Sequence, residues 1–172
     1  MKNIEEDKLE QLLELIVHAP EIRIAHLLKN EESMVNILNN FCQKYEYEYI
    51  VNCTDNSFFD LISKKYSDRE KTIVKQFSLD RRRYMMQGKM YEYLFVTCPI
   101  EEKIRGDFLK KSHSTIKNAG NILVFISKEN FEDRYNWLEL LEKNYYVASN
   151  VIDNLFEHYD VLISKKMHGW GG

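Results

Sequence analysis

Short apolar runs alternate with amphipathic segments along most of this chain, and this alternation constrains the fold more than any other feature. Strands that alternate with helices form a parallel, doubly wound sheet. Glycine and proline are scarce, at six and two residues, so no linker divides the pattern. Five runs predict strands: IRIAHLL (22–28), EYEYIVNCT (46–54), KTIVKQF (71–77), EYLFVTC (92–98) and NILVFIS (121–127).

The end of the chain departs from this alternation. YYVASNVI (145–152) and YDVLISKK (159–166) are predicted strands joined by only six residues, DNLFEH. A parallel crossover needs a dozen residues or more, whereas a hairpin needs only a few. We therefore predict an α/β fold with a doubly wound, mostly parallel seven-stranded sheet, in which the last strand is antiparallel.

An N-terminal helix precedes the predicted sheet. Residues 4–18 place five apolar side chains at helical spacing, and acidic residues crowd the start of the segment. We expect this helix, within residues 1–20, to pack on the edge of the sheet, and residues 21–172 to form a single domain. The five side chains predicted to share its apolar face are Leu9, Leu12, Leu13, Ile16 and Val17.

Four further helices are expected between the strands. Asn30 is a candidate cap for the first, which continues through 34–41, and Asp55 or Asn56 for the second. The third is predicted over 101–118 and the fourth over 130–142, whereas residues 79–90 form a connector. The apolar side chains expected to be buried in these helices include Phe58, Phe59, Leu61, Ile62, Ile104, Phe108, Leu109, Phe131, Trp137, Leu138 and Leu141.

Composition excludes several classes of function. The formal net charge is −3, so no overall basic field attracts nucleic acid or an anionic membrane. Cys42, Cys53 and Cys98 are odd in number and form no Cys-x-x-Cys pair, which predicts reduced thiols in a cytoplasmic protein. No histidine pair has metal-ligand spacing, so no metal site is expected. No signal peptide or membrane span is predicted.

Three segments carry a resemblance to a known family. They are YEYLFVTCPI (91–100), FLKKSHSTIKNAGNILVFIS (108–127) and the closing DVLISKK (160–166). Together with the predicted topology, they resemble the fourth strand, the helix, turn and fifth strand, and the final hairpin of class I S-adenosylmethionine-dependent methyltransferases. The resemblance implies S-adenosylmethionine as cofactor and a binding site at the carboxyl ends of the strands.

The chain departs from that family at the loop that receives the cofactor. The first strand of the family leads into an acidic residue and a G-x-G-type loop, whereas this chain has AHLLKNEES (25–33) without glycine. The family also has an acid after the second strand that binds the ribose, and Asp55 is the match here, although a helix cap explains it equally well. The candidate cofactor-binding residues implied by the resemblance are Leu28, Asn30, Asp55, Phe77, Thr97 and Cys98.

Two carboxylates argue against a dinucleotide or ATP site of the usual kind. Such a site places phosphates at the N-terminus of the first helix, where Glu31 and Glu32 would repel them. S-adenosylmethionine carries a cationic sulfonium and no phosphate, so nearby acids are tolerable.

The remaining chemically active residues have ordinary structural explanations. Cys98 is interpreted as an inert, partly buried thiol, and His26 as a hydrogen-bonded structural histidine. The Arg81–Arg83 cluster is interpreted as a solvated loop, so nucleic acid is not an expected partner. Trp170 either folds back on the domain, mediates self-association or lies in a frayed terminus. No catalytic acid, base or nucleophile is identified, and the substrate is unknown.

Three hypotheses about function follow. The chain is an S-adenosylmethionine-dependent methyltransferase with a divergent cofactor loop, or a degenerate member of that fold that serves as a binding or scaffold protein. The third is a domain that binds another small molecule in the same crevice. The missing glycines favour the second hypothesis.

Overall fold

A computed structural model describes residues 2–84 and 90–167. Met85–Met86, part of the 79–90 connector and Trp170 lie outside the described residues. The five helices are α1 (Glu6–Leu13), α2 (Glu32–Lys44), α3 (Asn56–Lys65), α4 (Glu102–His113) and α5 (Asp133–Lys143). The seven strands are β1 (Arg23–Leu28), β2 (Glu48–Cys53), β3 (Thr72–Gln76), β4 (Tyr91–Val96), β5 (Ile116–Ser127), β6 (Tyr146–Ile152) and β7 (Tyr159–Lys166).

The strands form one sheet in the order β3-β2-β1-β4-β5-β7-β6. All neighbouring strands from β3 to β5 run parallel, and β7 is antiparallel to both β5 and β6. The predicted α/β fold, with its mostly parallel seven-stranded sheet and antiparallel last strand, is confirmed. The residues that join β6 to β7 form the predicted hairpin connection.

Two apolar cores cover the two faces of the sheet. One contains side chains of α1, α2 and α3, and the other contains side chains of α4 and α5. Leu9, Leu12 and Leu13 of α1 are buried in the first core, so α1 packs on a face of the sheet and against α2, and the predicted edge position is wrong. No helix in the described part of the chain is long and apolar enough to cross a bilayer.

Three side chains that were predicted to be buried in helices are exposed instead. Helix α1 ends at Leu13, and Val17 is 73% exposed because it lies beyond the helix. Leu61 and Phe131 are also more than half exposed. Helical periodicity identified the buried faces, but a side chain at the border of a face is buried only where another element covers it.

Helix α4 ends at His113, five residues earlier than predicted, because residues 116–120 extend β5. Ile116 pairs with Tyr91 of β4, and the register then shifts before Asn121 pairs with Tyr93. Gly120 lies at this irregularity, where a Cβ atom would be 2.9 Å from the Glu92 carbonyl oxygen. Glycine therefore lets β4 and β5 approach closely at this irregular pairing.

Replacing Gly120 by alanine should destabilise the protein by about 1–3 kcal/mol, because the added methyl group overlaps the backbone of β4 and β5. Gly106→Ala in α4 is the control, since its Cβ would make an ordinary 3.7 Å contact with Leu140 of α5. That helical substitution should stabilise by about 0.5–1 kcal/mol. Urea unfolding of both variants measures the difference, and a Gly120→Ala protein as stable as wild type would contradict the close approach.

Candidate functional site

Two clefts lie at the carboxyl ends of the parallel strands. The central cleft, of about 630 Å³, is lined by the turn after β1 and by the ends of β4 and β5. The side cleft, of about 500 Å³, lies at the ends of β2 and β3. Residues 100–105, which lead into α4, contribute to both clefts. In open α/β sheets, ligands bind at this edge, next to the point where the strand order reverses.

The predicted cofactor-binding residues are divided between these clefts. Asn30, Thr97 and Cys98 line the central cleft, and Phe77 lines the side cleft. Asp55 lies between Thr54 and Asn56, which both line the side cleft. Leu28, at the end of β1, is fully buried, and its carbonyl accepts hydrogen bonds from the Thr54 backbone and hydroxyl.

The turn between β1 and α2 is organised by Glu31. Its Oε2 accepts hydrogen bonds from the backbone N–H groups of Lys29 and Asn30, at 3.1 and 3.2 Å. Glu31 is also the N-cap residue of α2, so the prediction that Asn30 caps this helix is wrong. The carboxylate turns back toward the strand rather than forward to the helix, and it stabilises the turn without a glycine.

Glu31 also reaches the floor of the central cleft. The Thr97 hydroxyl lies 3.4 Å from Oε2, and Oε1 is a buried atom without a hydrogen-bond partner among the described residues. The sequence identified Glu31 only as a charge that repels phosphate. Its reversed orientation depends on the path of the turn, which no sequence pattern indicates.

His26 connects β1 to its two neighbouring strands beneath this cleft. Its Nδ1 lies 2.9 Å from the Tyr49 hydroxyl of β2, and its Nε2 lies 2.8 Å from the Thr97 hydroxyl after β4. The side chain is fully buried, and burial lowers its pKa to about 3. His26 is therefore the neutral, hydrogen-bonded structural histidine that the sequence predicted.

Cys98 is a protonated thiol in the wall of the central cleft. It is 6% exposed, and burial, with a further contribution from the negative charge of Glu31, raises its pKa to about 12. A thiol with so high a pKa is a poor nucleophile. This burial agrees with the interpretation of Cys98 as an inert thiol, and its role at the cofactor site stays a prediction.

Asp55 is the N-cap of α3, as predicted. Its Oδ1 accepts a hydrogen bond from the Phe58 backbone N–H at 2.8 Å. The cap uses one carboxylate oxygen, and Asp55 is flanked by Thr54 and Asn56, which line the side cleft. Its role toward a ribose stays a prediction.

Phe77 forms the apolar part of the side cleft. It is 8% exposed, and its ring packs edge-on against Tyr84 with 4.9 Å between centroids. The Arg81 guanidinium lies 5.4 Å from the Phe77 centroid on another side. Phe77 therefore contributes a small apolar part of the side-cleft lining, with most of its ring covered by neighbouring side chains.

A buried arginine that the sequence did not identify fixes the far wall of the central cleft. The Arg105 guanidinium donates to both carboxylate oxygens of Asp133, at 2.8 and 3.1 Å, and lies 5.2 Å from the centre of the Trp137 ring. It also donates to the Ile100 carbonyl. These contacts join α4, α5 and the loop after β4. Because α4 and α5 are far apart in the sequence, no local sequence pattern indicates the contacts between them.

No group of three or more His, Cys, Asp or Glu side chains in the described ranges is arranged to hold a metal ion.

Comparisons with known proteins bear on the fold. No model of a known protein family matches the sequence. No curated protein matches it either. Solved structures of methyltransferases do match its fold, however, at identities of 13% or less among those compared.

Three of these structures illustrate the likeness. An S-adenosylmethionine-dependent O-methyltransferase from Thermotoga maritima matches with a TM-score of 0.74 and 12% identity, over 100% of this chain and 69% of that one. The methyltransferase domain of the citrinin polyketide synthase matches with a TM-score of 0.73 and 11% identity, over 95% and 52%. An N-methyltransferase from Haemonchus contortus, in complex with S-adenosylhomocysteine, matches with a TM-score of 0.68 and 7% identity, over 94% and 52%.

The chain therefore has the class I S-adenosylmethionine-dependent methyltransferase fold, as the sequence resemblance implied. It spans about half the length of the citrinin synthase domain and of the Haemonchus enzyme.

The buried histidine should make stability depend on pH. In the unfolded chain His26 binds a proton near pH 6.5, whereas in the folded chain it does so only near pH 3. Protonation of the unfolded chain at His26 therefore leaves the free energy of unfolding unaffected well above pH 6.5. As the pH falls from 6.5 toward 3, this protonation lowers the free energy of unfolding. Between pH 7 and 5 the free energy of unfolding should fall by about 2 kcal/mol from this group.

His26→Gln is the variant that tests this dependence. It should be less stable at pH 7, because buried partners are lost, but its stability should fall less on acidification. Burial also lowers the pKa of His113, and this contribution is common to both proteins. Equal slopes of unfolding free energy against pH, from urea titrations, would show that His26 does not cause the effect.

Proposed function

We propose that this chain is an S-adenosylmethionine-dependent methyltransferase with a divergent cofactor loop. The observation that carries the proposal is the pair of adjoining clefts at the carboxyl edge of a methyltransferase-type sheet. The Phe77 ring lines the side cleft, and the residue that carries the Asp55 carboxylate lies in the chain between the lining residues Thr54 and Asn56; both groups suit an adenosine. The central cleft offers the Glu31 carboxylate, suited to a cationic sulfonium or amino group.

Methyl transfer from S-adenosylmethionine requires few catalytic groups from the protein. S-adenosylmethionine supplies an activated methyl group, so the protein needs mainly to hold the acceptor in line with the methyl–sulfur bond. The rigid wall formed by Arg105 and Asp133 and the buried His26–Thr97 contact favour such positioning.

Isothermal titration with S-adenosylmethionine and with S-adenosylhomocysteine tests the cofactor site. We expect saturable binding with a dissociation constant of order micromolar, about −8 kcal/mol. Asp55→Asn should weaken binding about tenfold or more, because a hydrogen bond to a charged group contributes about 1.5–3 kcal/mol. Asparagine still caps α3, so stability should change little.

Asp60→Asn provides the control for this variant. Asp60 is an exposed carboxylate of α3 whose neighbours Phe59 and Leu61 line neither cleft, unlike the neighbours of Asp55, so its loss should leave binding unchanged. If Asp55→Asn binds as tightly as wild type, the ribose role of Asp55 is wrong. If wild type binds neither ligand, the proposed function is wrong.

A second candidate is a methyltransferase-fold binding protein that does not take the cofactor. One observation favours it: Glu31 already accepts the N–H groups of Lys29 and Asn30, and the buried Leu28 side chain fills a position where the family uses glycine. Those N–H groups are then unavailable to the amino-acid end of a cofactor.

If the second candidate is correct, removing the Glu31 carboxylate should allow the turn to bind the cofactor. Wild type should give flat titrations, and Glu31→Ala should acquire measurable affinity for S-adenosylhomocysteine. Glu32→Ala is the control, because Glu32 pairs with Lys65 on the outside of the turn. Binding by wild type that Glu31→Ala weakens would reject the blocking role and favour the enzyme.

A further inference from the structure

Positive charge is concentrated at one end of the sheet. Residues 64–83 contain eight of the 24 Lys and Arg residues of the chain but only three of its 27 Asp and Glu residues. This segment runs from the end of α3 through β3, the terminal strand of the sheet, and into the following loop. We call it the basic edge; its cationic residues are Lys64, Lys65, Arg69, Lys71, Lys75, Arg81, Arg82 and Arg83.

Most of these charges have no acidic partner. Within the described chain, Lys65 is the one cation of the basic edge with a carboxylate at ion-pair distance, Glu32 at 2.7 Å. The others that form hydrogen bonds donate to uncharged groups: Arg69 to the Gln43 side chain, Lys71 to the Glu46 carbonyl and Arg81 to the Gln76 carbonyl. Their charge is therefore available to an anionic partner.

The loop that carries the three arginines is anchored to the domain by contacts of Arg81 and Tyr84. Arg81 packs over Phe77 and donates to the Gln76 carbonyl at 3.0 Å. Tyr84, which is 5% exposed, donates its hydroxyl to the Leu79 carbonyl at 2.9 Å. Arg82 and Arg83 lie exposed between these two anchors. The loop thus presents the Arg82 and Arg83 guanidinium groups to solvent between two residues that are anchored to the domain.

We propose that the basic edge binds the phosphate backbone of a nucleic acid, with Arg82 and Arg83 as principal contacts. Guanidinium groups match phosphate oxygens in a planar, bidentate geometry. Arg81 itself lines the side cleft together with Asp80 and Glu101, so the exposed Arg82 and Arg83, rather than Arg81, are assigned to phosphate. The binding requires no cofactor and is independent of the proposed function.

The side chains that surround the basic edge favour a nucleic acid over a membrane as its partner. A membrane-binding surface needs an apolar face beside its basic residues. At the basic edge and α3, the exposed large apolar side chains in the described ranges are the separate Leu61 and Ile73. The expectation that nucleic acid is not a partner relied on the interpretation of Arg81–Arg83 as a solvated loop and on the net charge of −3. That net charge sums the whole chain and does not describe one surface.

Fluorescence anisotropy with a labelled single-stranded RNA of about 20 nucleotides tests the proposal, at about 50 mM and about 200 mM salt. Wild type should bind, and its affinity should fall with salt. The double variant Arg82→Gln/Arg83→Gln should bind roughly tenfold or more weakly at low salt, with a logarithmic salt slope reduced by about 1.4. Arg81 is kept, because it packs on Phe77.

The control Lys110→Gln/Lys165→Gln removes the same charge from exposed positions on α4 and β7. It should bind like wild type. Failure of wild type to bind RNA, or equal weakening by the two double variants, would overturn the proposal. Tighter binding to poly-glutamate or to phosphatidylserine vesicles than to RNA would overturn it in favour of an acidic protein or a membrane.

Discussion

The position of β1 between β2 and β4 is the constraint on which the rest of the structure depends. A central parallel strand is covered on both faces, so its side chains must be apolar or fully hydrogen-bonded. His26 is a fully buried polar residue of β1, and it is accommodated because Tyr49 and Thr97 lie within hydrogen-bond distance on either side. The same strand order brings the turn after β1 and the loop after β4 to one edge, where both clefts open.

The turn after β1 shows how a fold can keep its shape without the residues that usually form it. Glycine tolerates close approach and unusual backbone angles. Here the Glu31 carboxylate provides an acceptor for two backbone N–H groups instead. A carboxylate in this position changes what the edge can bind: it attracts a cation and repels a phosphate. The two functional candidates differ in whether this carboxylate holds a ligand or occupies its place.

Charge in this molecule is organised by topology rather than by overall composition. The chain as a whole is slightly acidic, yet the segment around its terminal strand is strongly basic. Edge strands commonly carry charged side chains, which discourage pairing with another sheet. That role explains Lys71 and Lys75 on and beside β3, but it does not require Arg82 and Arg83, which lie beyond the strand in a separately anchored loop.

The sequence by itself determined the class of fold. Apolar runs of strand length, the six-residue link before the last strand and the Asp55 cap each depend on neighbours in the chain, and local chemistry fixes them. Only the tertiary structure decided the site. The Arg105–Asp133 pair, the His26–Thr97 contact and the early end of α4 join residues that are distant in sequence or depend on a neighbouring strand. Their geometry follows from how the sheet brings those segments together, and the periodicity of the sequence does not predict it.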